Sequence, residues 1–274
     1  MKKLLLVSAM AAVFFTTAPA FAQTTMPLNT GYDHGAFAPY PNPTSPSTTQ
    51  DNYWIKIASY EPPAPSSPVA PAWVIQKAGG WSLQFPNTQW IGPRNTNAAP
   101  AGSSQNNPAY SIFRKCFCLM KGYKEARLNF QLRADDNVQV WLNSVTNTLV
   151  PAQIGNHSGT PLTAQTMNGF KQGKNCVYVL VEDTLNGSMG FNLSGSVSAI
   201  GLMPQAAASV NQTFAPCACD QQPGAAGAGM KTADEEQATV NQIIKIAEDR
   251  RKAAMARPAA IERPVPTEDV RKDN

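Results

Sequence analysis

The sequence predicts an all-β protein, an antiparallel two-sheet sandwich with a Pro-rich N-terminal extension and a C-terminal amphipathic helix. Three observations carry that prediction. From Trp73 to about Met203, short runs alternate apolar and polar residues and are separated by turn residues, the period of half-buried antiparallel strands. No strand–helix alternation interrupts those runs, which argues against a parallel α/β sheet. A helical period appears only after residue 232, behind a stretch rich in Ala, Gly, Gln and Pro.

The chain of 274 residues opens with MKKLLLVSAMAAVFFTTAPAFA. Lys2 and Lys3 form a positive start, Leu4 to Phe15 an apolar run, and Ala20-Phe21-Ala22 a small-x-small cleavage site. Residues 1–22 therefore read as a signal peptide cut before Gln23. The apolar run is short of the ~20 residues that span a bilayer, and no later segment reaches that length. The expected location is the periplasm, the outer surface or the extracellular medium, with no transmembrane segment in the mature chain. Residues 23–72 form the extension. Nine prolines lie between Pro39 and Pro71, which favours extended, solvated backbone. Within it YWIKIASY (Tyr53 to Tyr60) reads as an edge strand.

Residues 73–203 supply the sandwich. WVIQK, SLQF and QWIG are short strand candidates, and YSIFRKCFCL (Tyr110 to Leu119) is a longer one. ARLNFQLRA puts Leu128, Phe130 and Leu132 on one face, and NVQVWLN does so with Val138, Val140 and Leu142. KNCVYVLVED aligns Val177, Val179 and Val181, and GFNLSGSVSAI aligns Phe191, Leu193 and Val197. Thr146 to Gly169 reads as a long loop. Residues 204–231 read as a linker carrying Cys217 and Cys219. Residues 232–257 read as a helix. Thr232 is its cap, Asp234, Glu235 and Glu236 fill its first turn, Val240, Ile243, Ile244, Ala247 and Ala254 form its stripe, and Pro258 stops it. The helix either packs on its own domain or serves association. Residues 258–274 read as a disordered tail.

Composition narrows the function. Charged residues make up 15% of the chain, against ~25% in a typical soluble domain. Neutral amides are abundant, with 20 Asn and 17 Gln. No basic block marks a nucleic-acid partner. Two histidines, His34 and His157, leave little room for His-based catalysis or His-rich metal sites. No G-x-S-x-G elbow, H-E-x-x-H or P-loop occurs, so no enzyme is expected. The five cysteines, Cys116, Cys118, Cys176, Cys217 and Cys219, suit an oxidising compartment. The odd number leaves one thiol free or paired between chains.

Four pieces in order carry a resemblance. They are Tyr110, Phe113, Arg114, Phe117 and Leu119 of an aromatic strand, then A-x-L-x-F…A-D-D-x-V-x-V-W-L-N (Ala126 to Asn143). Next is G-x-N-x-V-x-V-x-V (Gly173 to Val181), and last G-F-N-L-S-G (Gly190 to Gly195). Over residues 73–200 the chain resembles the galactose-binding-like jelly-roll β-sandwich of bacterial secreted proteins and of the sugar-binding domains of glycoside hydrolases. One departure is Asn143-Ser144 where that pattern usually has Asn-Gly.

The resemblance implies a non-catalytic module that binds a glycan or a cell-envelope surface through loops and exposed Trp. On that reading Trp81, Trp90 and Trp141 are stacking candidates beside Trp73, and His157 and Asn186 are polar loop candidates. Core filling is the commoner fate of such Trp residues. Asp135 and Asp136, with Asp183 from the next strand end, are candidate calcium ligands. A tight turn with local hydrogen bonds is their simpler reading. The resemblance also sets the first and third pieces side by side, implying a disulfide from Cys116 or Cys118 to Cys176. Cys217 and Cys219 would tie back the tail or link subunits. The alternative expectation is a structural or assembly subunit of the envelope, forming homo-oligomers or binding an envelope protein through its C-terminal helix.

Overall fold

The computed structural model describes residues 22–62, 69–98, 102–184, 187–204 and 233–256. The linker with Cys217 and Cys219, the signal segment, the tail and Asn186 lie outside those residues.

Twelve strands and one helix make up the described fold. The strands are β1 (Gln23–Pro27), β2 (Tyr32–Asp33), β3 (Ala38–Pro39), β4 (Gln50–Tyr60), β5 (Ala70–Val74) and β6 (Ile91–Gly92), then β7 (Ala109–Asp135), β8 (Asn137–Leu142), β9 (Thr148–Ile154), β10 (Leu162–Thr166), β11 (Gly173–Asp183) and β12 (Gly190–Pro204). The helix is α1 (Ala233–Met255). The all-β prediction with a terminal helix holds. The separation into two sheets does not: β12, β6, β5, β4 and β7 pair in turn, and β12 also pairs with β7, so the sheet closes on itself as a barrel.

The long strand β7 makes that closure possible. Its first part pairs with β4 and β11, and its second part pairs with β10 and β12. The chain bends between them at MKGYKEA, where Gly122 and Glu125 take φ of 75° and 54°. The period-two residues then turn inward as predicted. Phe113, Phe117, Leu128, Phe130 and Leu132 of β7 share one buried cluster with Val138, Val140, Val177, Val179, Phe191 and Leu193. At the β8 turn, Asn143 supplies the left-handed residue with φ 65°. It accepts from the Cys176 amide at 2.8 Å and donates to Asn175 Oδ1 at 2.8 Å. Its side chain stabilises a turn that the resemblance would assign to Asn-Gly.

Several expectations about the rest are corrected. YWIKIASY is no edge strand: it belongs to β4, which lies between β5 and β7 and is almost wholly buried. The N-terminal extension is part of the barrel, since β1 pairs with β12 from Gln23↔Ile200 to Pro27↔Ser196. Among the described prolines, Pro27 ends β1 and Pro71 falls near the start of β5. The expected long loop holds β9 and β10. SLQF and the start of QWIG are irregular, and only Ile91–Gly92 pairs.

A buried polar clamp fastens the N-terminal segment to β7. Lys115 Nζ lies 2.9 Å from His34 Nε2 and sits over the rings of Tyr53 and Trp54. Burial, then the neighbouring Lys115 charge, lowers the His34 pKa to about 3, so its ring is neutral and accepts from the ammonium. Burial lowers Lys115 itself to about 8, opposed by the Asp51 carboxylate. Asp51 accepts from the amides of Gly31, Tyr53 and Trp54.

The helix packs on its own domain. Val240, Ile243 and Ala247 are buried in one cluster with Ile55, Ile112, Trp141, Tyr178 and Leu180. Glu236 bridges Arg114 and Lys174, Arg250 reaches Glu182 at 3.0 Å, and Glu248 accepts from Tyr110 Oη at 3.0 Å. This docking explains why YSIFRKCFCL is buried on both parities: one face fills the barrel and the other lies under α1. No helix among the described residues is long and apolar enough to cross a membrane.

Candidate binding groove

On the side served by the second part of β7, the outward positions are polar. The register sets Thr163, Gln131 and Ser194 abreast, and Gln165, Asn129 and Ser196 in the next row. Between these rows lies an open groove of about 470 Å³, lined by Asn129 to Gln131, Thr163 to Gln165, Ser194 and Gly195. Gly195 is required where β12 closes on β7: a Cβ there would meet the Asn129 carbonyl at 2.3 Å and Phe130 Cβ at 2.4 Å. The lining side chains are amides and hydroxyls that both donate and accept. No carboxylate, His or Cys lines the groove.

One end of the groove is walled. In the row beyond Gln131 and Ser194, Arg133 and Asn192 pair, and residues 82–89 cross over them. Asn192 is fully buried, accepts from the Phe85 amide at 2.9 Å and donates to Thr88 Oγ1 at 2.8 Å. Arg133 donates to the carbonyls of Leu83 and Gly159 and stacks on Phe85 at 4.6 Å.

Trp81, His157 and Asp135, singled out separately in the sequence, meet behind this wall. Trp81 Nε1 donates to Asp135 Oδ2 at 2.7 Å, and His157 Nδ1 is 3.1 Å from Asp135 Oδ1. Ser82 N donates to the His157 carbonyl at 2.9 Å, joining the two loops. Burial, first, and a hydrogen bond with Asp136 raise the Asp135 pKa to about 7. These contacts make the cluster the brace of the wall.

Stacking by exposed indoles is corrected. Trp81, Trp90 and Trp141 are 4%, 1% and 0% exposed, so none offers a ring face to a sugar. Trp81 packs on Trp90 with centroids 4.1 Å apart, and Trp141 lies beneath α1. Trp73 is half-buried against the Trp81–Trp90 pair. The calcium candidates are neighbours, Asp136 hydrogen-bonding Asp135 and Asp183 adding its charge, but each is engaged within the protein. Asp135 receives Trp81, Asp136 receives the Thr184 amide and hydroxyl, and fully buried Asp183 receives Ser103 Oγ. Among the described residues no group of three or more His, Cys, Asp and Glu is placed to hold a metal ion, so the donor set does not fit calcium.

The Cys116–Cys176 disulfide is present, between residues directly opposite in the β7–β11 register. Cys118 is also disulfide-bonded.

No protein-family model and no curated protein matches the chain. Among solved structures, it is similar to a family 35 carbohydrate-binding module from an environmental isolate. That match has 16% identity and a TM-score of 0.28, and covers 55% of this chain and 98% of the module. A family 35 module of Cellvibrio japonicus Abf62 matches at 14% identity and a TM-score of 0.27, over 56% of this chain and 98% of that one.

The groove residues were absent from the sequence-based candidates, which favoured aromatic and charged side chains. Their signal was nevertheless there. Asn129 and Gln131, Thr163 and Gln165, and Ser194 and Ser196 are polar residues at every second position, opposite in parity to the core residues of their strands.

Proposed function

We propose that the chain is an exported, non-catalytic module that binds a glycan in the groove between β10, β7 and β12. One observation carries this reading. The groove is faced by Asn129, Gln131, Thr163, Gln165 and Ser194, a set of neutral donors and acceptors suited to a ligand covered in hydroxyls. The framework beneath is rigid sheet, which holds such groups in place. Export is supported by the Cys116–Cys176 disulfide, a bond typical of oxidising compartments. The assembly reading through the C-terminal helix finds no support in an α1 whose Val240, Ile243 and Ala247 are already buried against the barrel.

The test is a glycan array probed with the full chain, followed by titration calorimetry on the best ligand. Gln131→Ala with Gln165→Ala should weaken binding about tenfold or more through lost hydrogen bonds. Both are surface changes, so stability should stay within about 0.5 kcal/mol. A glycan bound equally well by this double variant would refute the groove as its site.

A further inference from the structure

We infer that the glycan held in the groove carries anionic substituents, and that Arg127, Lys124 and Lys121 receive them at the end opposite the wall. This rests on the glycan reading and deepens it. Arg127 is the next outward residue of β7 after Asn129 and stands opposite Ser198. Lys124 stands opposite Ile200, past a bulge, and Lys121 lies in the bend that follows. All three are exposed. Among the described residues they form no ion pair, and Glu125 is the one acid within the bend.

The contrast with other cations gives this its weight. Arg94, Arg114, Lys174, Arg250 and Arg251 each face a carboxylate. Arg133, at the walled end, is occupied by two carbonyls and the Phe85 ring. A chain with only 15% charged residues thus places three unpaired cations together, in line with a neutral groove. Because residues 82–89 close the other end, a polymer longer than the groove leaves it across these cations. Neutral amides would then read the hydroxyls of the sugar, and the cations would select carboxylate or sulfate groups along it.

The experiment is affinity electrophoresis of the full chain in gels of dextran, carboxymethyl dextran and dextran sulfate, which share one backbone. It compares wild type, K121Q/K124Q/R127Q and Q131A/Q165A, each first shown to melt like wild type. Retardation is expected in one or both anionic gels, the carboxylate and sulfate arms showing which anion is preferred. The triple variant should bind about tenfold more weakly, as three exposed charge contacts imply, with a shallower salt dependence. The groove variant should also weaken binding. Unchanged retardation of the triple variant in the anionic gels overturns the inference. If a neutral glycan is bound equally by wild type and triple variant but lost by Q131A/Q165A, the inference fails while the glycan reading stands. Anionic retardation that ignores the groove variant overturns both.

Discussion

Asp135 shows how one residue can shape the groove without lining it. Its carboxyl accepts from Trp81, faces His157, and so ties the loop of His157 to the segment that walls the groove. Burial raises its pKa to about 7, against ~3.9 in an unfolded chain. Between those values the folded protein holds the proton more firmly than the unfolded one. Stability from this group is therefore greatest in acid, falls as pH rises from about 4 to about 7, and is level above that. Urea unfolding at pH 5 and pH 8 should show wild type losing stability relative to Asp135→Asn, which keeps an acceptor for Trp81 but cannot titrate. His34, whose lowered pKa acts in the opposite direction over this range, contributes equally to both proteins. An equal pH dependence in the variant would assign the titration elsewhere. Trp81 and His157 were legible as special residues because Trp and His are scarce here. Their role was not, since neither composition nor spacing reveals which side chains meet in space.

At the scale of elements, α1 was legible because its acidic first turn and apolar stripe agree with one another. What it packs against was not, because a stripe specifies burial and leaves the partner open. The answer lay in YSIFRKCFCL, whose two apolar parities require a cover on each face. Ile243 is fully buried in that contact. Ile243→Ala should cost about 2–4 kcal/mol, and hydrogen exchange should rise along α1 and in the outward residues of β11. Glycan binding by the folded variant should not change, because the groove lies on the part of β7 paired with β10 and β12. Loss of binding without loss of fold would place the helix in the site. Strands with strict alternation were equally legible: Leu128, Phe130 and Leu132 all face inward. The N-terminal strands were hidden by proline, whose local preference for extended, solvated chain was overridden by pairing with β12 and β7. The groove was hidden differently. Polar residues at alternate positions are what any solvated sheet face shows, and only the register brings Thr163, Gln131 and Ser194 abreast.

At the scale of the whole molecule, β7 joins two halves with different tasks. Its first part, with β4, β8 and β11, lies under α1 and carries the Cys116–Cys176 bridge in the apolar cluster there. Its second part, with β10 and β12, presents the groove. The bridge closes a loop of 60 residues that contains the β7 bend, β8, β9 and β10. Constraining a loop of that length in the unfolded chain stabilises the fold by about 4 kcal/mol on the chain-entropy account. Cys116→Ala with Cys176→Ala leaves the disulfide of Cys118 intact, so it isolates this one constraint. Its denaturant midpoint should fall by the equivalent of about 4 kcal/mol. The barrel interior, packed by Phe113, Phe130, Val179 and Phe191, does not depend on the bridge. Under conditions where circular dichroism shows the variant folded, glycan affinity should therefore equal that of wild type. A folded variant that no longer binds would show that the groove draws its geometry from the far side of the barrel, through β7 itself.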